Sequence, residues 1–264
     1  MHQAVEVSGL SKEFILTKNF NLFSRSSRKS ILAIDNVFLE AKPGEVLSLI
    51  GPNGSGKTTL IKILACLIWP TRGVVRVMGY DALKNENRIK ALIGLACSDE
   101  RSFYWRLTLR ENLYFFGALF NLSLSRIKKS IDELGAFLDL DESLDKRFQE
   151  CSSGIKQRLV IARSLINDPK LIFMDEPFKN LDPLNAKKIM GYIKTKLVNE
   201  QGKTVLFITH NLKEAEEFSD RIAVMQQGKI LKTGTLKELS AGADSCACSL
   251  ENIYEKLLKP LNNC

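Results

Sequence analysis

A chain of 264 residues, 45% hydrophobic and 26% charged, is long enough for one large α/β domain with a subdomain set into it. No run approaches the about 18 consecutive apolar residues of a membrane-spanning helix, and the opening residues mix Glu6, Lys12 and Glu13 with apolar ones, unlike a secretory signal. The net charge of +8 is unevenly spread: from Phe14 to Ile34 there is no acid, while Lys18, Arg25, Arg28 and Lys29 add positive charge. Such a stretch reads first as a solvated loop, with anionic lipid or nucleic acid as the other uses of its charge. The cysteines at 66, 97, 151, 246, 248 and 264 include no CxxC pair, which fits free thiols in a reducing compartment.

Val5, Val7 and Leu10 open an extended segment, and after the basic stretch Ala33 to Glu40 alternates as a half-buried strand. Pro43-Gly44 marks a turn, and Val46 to Ile50 is a short apolar run with the length of a buried strand. Thr58 to Leu67 is expected to be helical, with Leu60, Ile63, Leu64 and Leu67 on one face and Trp69-Pro70 closing it. Gly73 to Met78 reads as a strand; Arg110 to Phe120 and Arg126 to Leu138 read as helices. Leu171 to Met174 and Thr204 to Thr209 read as buried strands, and Ile222 to Met225 with Lys229 to Leu231 as a hairpin around Gln227-Gly228. Leu250 to Leu258 suggests a helix in the tail. The layout is α/β, with ligands expected at the carboxyl ends of strands.

Gly51-Pro52-Asn53-Gly54-Ser55-Gly56-Lys57-Thr58-Thr59 follows a strand and opens a helix, and fits G-x-x-x-x-G-K-[ST]. Glycines allow the backbone N–H groups to approach phosphate oxygens, and the helix N-terminus adds positive partial charge. Lys57 is a charge for the β/γ-phosphates, and the Thr58 hydroxyl suits Mg²⁺. Further on, an apolar strand ends in Asp175-Glu176-Pro177. Asp175 can hold Mg²⁺, directly or through water, while Glu176 points elsewhere and can polarise a water. Cys151-Ser152-Ser153-Gly154-Ile155-Lys156-Gln157-Arg158 precedes a helix, and reads as a hydroxyl and amide cluster at a helix N-terminus.

With this third motif the chain resembles the ABC ATPase family. Ser152 and Gly154 match the family signature, while Cys151, Ser153 and Ile155 depart from it. The resemblance spans about Val5 to Gly234 and implies an ABC ATPase domain over 1–234, with a helical lobe inserted at about 95–165, and a short tail over 235–264. The implied fold is a P-loop NTPase core with a mixed sheet and an antiparallel β subdomain. By the same resemblance Phe14 stacks on adenine, Glu176 positions the attacking water, His210 is the switch histidine, and Asn180-Leu181-Asp182 belongs to a loop at a dimer interface. Ser98 stands where the family has a Gln that contacts Mg²⁺, and is the third position the resemblance implies for the metal, beside Thr58 and Asp175. ATP and Mg²⁺ are the implied ligands.

The resemblance further implies a second ABC ATPase subunit, in a homo- or heterodimer, and a separate integral membrane permease docking near Phe103–Asn112. The wording of that segment is similar to that of ATPases serving exporters, so export is expected. A peripheral place on the cytoplasmic face of the membrane follows, and no nucleic acid is expected. A soluble ABC ATPase working on a nucleic-acid or assembly partner, or a catalytically silent cassette, stays open at this point.

Overall fold

The computed structural model describes residues 3–17, 28–97, 102–240 and 249–258. Most of the basic stretch, Ser98, and Cys246, Cys248 and Cys264 lie outside the described residues.

The chain opens with two long strands, β1 (Val5–Thr17) and β2 (Arg28–Ala41), paired antiparallel, so the first strand runs well past Leu10. With β4 (Arg72–Val77) and β5 (Tyr80–Asp81) they form an antiparallel sheet of order β2-β1-β4-β5. The second sheet is mixed. Strands β3 (Val46–Ile50), β6 (Ile93–Cys97), β7 (Leu171–Asp175), β8 (Thr204–Ile208), β9 (Arg221–Gln226) and β10 (Lys229–Gly234) take the order β10-β9-β3-β8-β7-β6, all parallel except for the β9–β10 hairpin. Every residue of β3 and β8 is buried, as continuous apolar runs covered on both faces require.

Helix α1 (Lys57–Leu64) follows β3. It stops short of the expected Leu67 because Cys66 adopts a left-handed φ of 55°, and Leu67 is left 54% exposed instead of joining Leu60, Ile63 and Leu64 on the buried face. Helix α2 (Glu86–Leu92) leads into β6, which keeps the chain in the central sheet as far as Cys97. Between β6 and β7 lie α3 (Leu109–Leu119), α4 (Leu124–Phe137) and α5 (Ser153–Leu165). Thr108 starts α3 through a reciprocal capping box with Glu111, and Ser123 and Ser152 cap α4 and α5. Asp182 and Pro183 start α6 (Pro183–Tyr192), which continues as a π-helical stretch through Glu200. Helices α7 (Leu212–Phe218), α8 (Leu236–Ser240) and α9 (Leu250–Leu258) complete the chain.

Three clusters hold these layers. One joins the antiparallel sheet and α1 to a face of the central sheet through Val7, Leu39, Leu47, Leu60, Phe173 and Leu206. A second joins α3, α4 and α5 to the opposite face through Leu113, Ile131, Leu159, Met174 and Phe207. A third seats α9 against Ile50, Ala215 and Val224 through Leu250 and Ile253. Each fully buried Phe or Leu contributes about 2 kcal/mol from removal of its surface from water.

Candidate active site

Three parallel strands deliver the site to one edge of the central sheet. Register pairs Leu49 with Ile208 and Asp175 with Ile208, so β3, β7 and β8 end side by side. The Gly51–Thr59 turn leaves β3, Asp175-Glu176 leaves β7, and Thr209-His210 leaves β8.

The turn after β3 has no room for side chains at two glycines. A Cβ on Gly51 would collide with the Met225 carbonyl oxygen, and one on Gly56, at φ 105°, would stand 2.5 Å from the Ala33 carbonyl oxygen of β2. Gly54 is left-handed as well, and the Ser55 N–H closes the turn onto the Pro52 carbonyl. Lys57 is almost wholly buried, its ammonium donating to the carbonyls of Gly51 at 2.7 Å and Pro52 at 2.9 Å, and to Ser55 Oγ at 3.4 Å. Burial pulls its pKa below the usual lysine value, and the nearby carboxylates of Glu176 and Asp175 oppose that pull.

Thr58 Oγ1 donates to Asp175 Oδ2 at 2.8 Å, so a hydroxyl from α1 and a carboxylate from β7 are brought together from distant parts of the chain. Two such oxygens fit a hard divalent cation like Mg²⁺, which Thr58 and Asp175 would hold. The third residue considered for the metal, Ser98, lies outside the described residues.

Glu176 adopts φ 51°, a left-handed conformation that costs a non-glycine residue about 1–2 kcal/mol and persists only where neighbours enforce it. Its N–H donates to the Ile208 carbonyl at 3.0 Å, and its Oε2 lies 2.8 Å from His210 Nδ1. An ionised Glu176 requires the proton on Nδ1, which leaves Nε2 on the other side of the ring for a second partner. Thr209 and Asn211 brace the His210 turn by donating to Glu214 at 2.8 and 3.1 Å.

Phe14 is 38% exposed and is not a core residue; Lys12 lies over its ring at 4.9 Å. It pairs with Ile31, close along β2 to the Ala33 carbonyl that abuts Gly56. Asn53 and Thr58 are exposed and Thr59 half-buried along the same turn. Ser152, Ser153 and Gly154 lie elsewhere: Ser152 Oγ accepts the Ile155 N–H at 3.4 Å, and Gly154 faces the Asn180 carbonyl. Among the described residues no hydrogen bond joins them to the Gly51–Thr59 turn.

The segment from Phe103 to Asn112 does not present itself whole to a partner. Phe103, Leu109 and Asn112 are buried, and exposure falls on Tyr104, Trp105 and Arg106 and, further on, Glu111. The Asn112 side chain accepts from the Tyr104 N–H at 2.9 Å and donates to the carbonyls of Tyr104 and Thr108 at 3.1 and 2.9 Å, which makes it the scaffold of this turn. The sequence reading assigned no role to Gln157 or Glu214. A Gln among the apolar positions of α5, and the Asn211-x-x-Glu214 spacing of a capped helix, were the available signals.

The sequence model described as ABC transporter matches residues 34–179. The chain belongs to the ABC transporter family. This ABC ATPase is 34% identical over 215 residues to the ABC transporter ATP-binding protein NatA of Bacillus subtilis, covering 81% of this chain and 87% of that one. It is 34% identical over 221 residues to the Nod factor export ATP-binding protein I of Neorhizobium galegae, covering 84% of this chain and 62% of that one, under two thirds of its length. Among solved structures, a dimeric ATP-binding cassette in a post-hydrolysis state bound to ADP and Pi is similar, with a TM-score of 0.76 and 28% identity, covering 88% of this chain and 98% of that one. The fold is the P-loop NTPase core of ABC cassettes, and the protein is an ATPase that uses Mg²⁺.

Proposed function

We propose that this ATPase drives export by a separate membrane permease, and that it works as a head-to-tail dimer with a second ABC subunit on the cytoplasmic face of the membrane. The observation that carries its chemistry is the convergence of Thr58 with Asp175 and of Glu176 with His210 at the ends of adjacent strands.

The Gly51–Thr59 amides bind the phosphates, Lys57 exchanges its carbonyl partners for phosphate oxygens, and Phe14 stacks on the adenine. Thr58 and Asp175 would hold Mg²⁺, which would supply positive charge to offset that of the phosphates. Glu176 aims the attacking water and takes its proton, and His210 holds that carboxylate in place while its far nitrogen faces the γ-phosphate. Ser152, Ser153 and Gly154 of one subunit close over the nucleotide of the other, a reading supported by the absence, among the described residues, of any hydrogen bond between them and the phosphate turn of their own chain. Mechanism then consists of orientation and charge placement, and loss of the bridging phosphate lets the pair open.

For the permease, support comes from the exposed Tyr104-Trp105-Arg106 turn. Nearby runs a groove of about 400 Å³ whose lining includes Leu67, Lys90, Leu95, Phe116 and Phe120. Export is supported by the name of the Nod factor relative. Among the described residues no helix is long and apolar enough to cross a membrane. Steady-state ATPase assays on Glu176→Gln test the site: turnover is expected to fall by about 100-fold or more while ATP affinity is kept. Equal turnover in variant and wild type would remove Glu176 from its role.

A further inference from the structure

Gln157 lies on α5, five residues beyond the cap Ser152, and is only 3% exposed. Its side-chain Nε2 donates to the Pro177 carbonyl at 2.7 Å. Pro177 follows Glu176, the residue held at φ 51°. The loop is pinned on its near side by the Glu176 N–H on Ile208, and on its far side by Phe178, buried against Phe207 and Phe218. Gln157 supplies the hold between those two anchors. An apolar side chain would fill this buried position of α5 equally well; an amide there earns its place by satisfying a buried carbonyl.

We propose that Gln157 is a positioning residue for hydrolysis: it fixes the Pro177 peptide so that Glu176 keeps its left-handed backbone and its carboxylate stays aimed at His210. The same bond ties that aim to the helix whose N-terminus carries Ser152 and Gly154. In the two-subunit arrangement proposed above, the helix end that closes over one nucleotide is thereby linked to the base serving the other. This inference rests on the assignment of Glu176.

Single-turnover hydrolysis by the full-length protein tests it with Gln157→Met, which keeps shape and removes the donor. The rate constant is expected to fall about tenfold or more, with affinity for a fluorescent ATP analogue within about twofold of wild type. In a Glu176→Gln background the same change is expected to add nothing, because its effect passes through the carboxylate. Gln157→Glu adds a readout that a packing role would not move. A buried carboxylic acid can donate to Pro177 only when protonated, so its rate relative to wild type is expected to recover as the medium is taken from about pH 8 to about pH 6, while that of Gln157→Met stays low. Wild-type turnover in Gln157→Met, an equal loss in both backgrounds, or a Gln157→Glu rate that ignores pH would overturn the proposal. Unchanged hydrolysis in Glu176→Gln alone would instead overturn the assignment of the base, whatever Gln157 does.

Discussion

Gly56 answers to two constraints at once, a left-handed backbone and the Ala33 carbonyl pressed against the place where a Cβ would sit. Gly56→Ala is expected to destabilise the protein by more than about 1 kcal/mol and to weaken ATP binding at the same time, read by thermal melts with and without Mg-ATP. Lys57 makes a prediction of opposite character. Its folded pKa is lowered from 10.5, so just below that value the unfolded chain holds a proton that the folded chain has released. Unfolding then takes up protons, and stability rises with pH across that window. The melting temperature of wild type relative to Lys57→Met is expected to climb as the pH is raised toward 10.5. The phosphate motif was legible at this scale, because glycine spacing and a terminal lysine are local features. The close approach of Ala33 was not, since it comes from a strand placed by long-range pairing, and neither was the left-handed Glu176, whose conformation is imposed by neighbours its own sequence does not name.

At the scale of elements, the turn between β6 and α3 shows how a buried polar side chain shapes an exposed surface. Asn112 holds Tyr104 and Thr108 from within, so Tyr104 and Trp105 stand out on a rigid base. Asn112→Ala leaves the Tyr104 N–H without its acceptor, while the Tyr104 and Thr108 carbonyls keep the N–H groups of Leu107 and residue 112; it is expected to cost about 1–3 kcal/mol, seen as a lower denaturation midpoint. If the proposed permease docks at this turn, its capture in a pull-down is expected to weaken alongside it, because the turn loses its shape. The unbroken apolar runs of β3 and β8 and the periodic α9 were readable from the chain alone. Helices α2, α6 and α7 were not: they are short or polar, and α6 continues into a π-helical stretch that breaks the period of 3.6 residues on which such a reading depends.

For the whole molecule, strand order decides what can come apart. The helices between β6 and β7 share their apolar cluster with the central sheet through Met174 and Phe207, and the antiparallel sheet shares another through Phe173 and Leu206. Heating is therefore expected to give one cooperative transition by calorimetry, and the helical segment expressed alone is expected not to fold. Alternating strands and helices made the α/β class legible, but the order β10-β9-β3-β8-β7-β6 turns on β3, whose partners in β8 and β9 lie more than a hundred positions away, a pairing that composition and periodicity do not encode.

The seating of α9 carries a practical corollary. Leu250 and Ile253 share one buried cluster with Ile50, the last residue before the phosphate turn, and with Ala215 in the helix that follows His210. The tail is thus a wedge under both halves of the catalytic edge, and shortening the gene at its 3′ end is not a neutral trim: it pulls a prop from beneath the very atoms an enzymologist would be trying to measure.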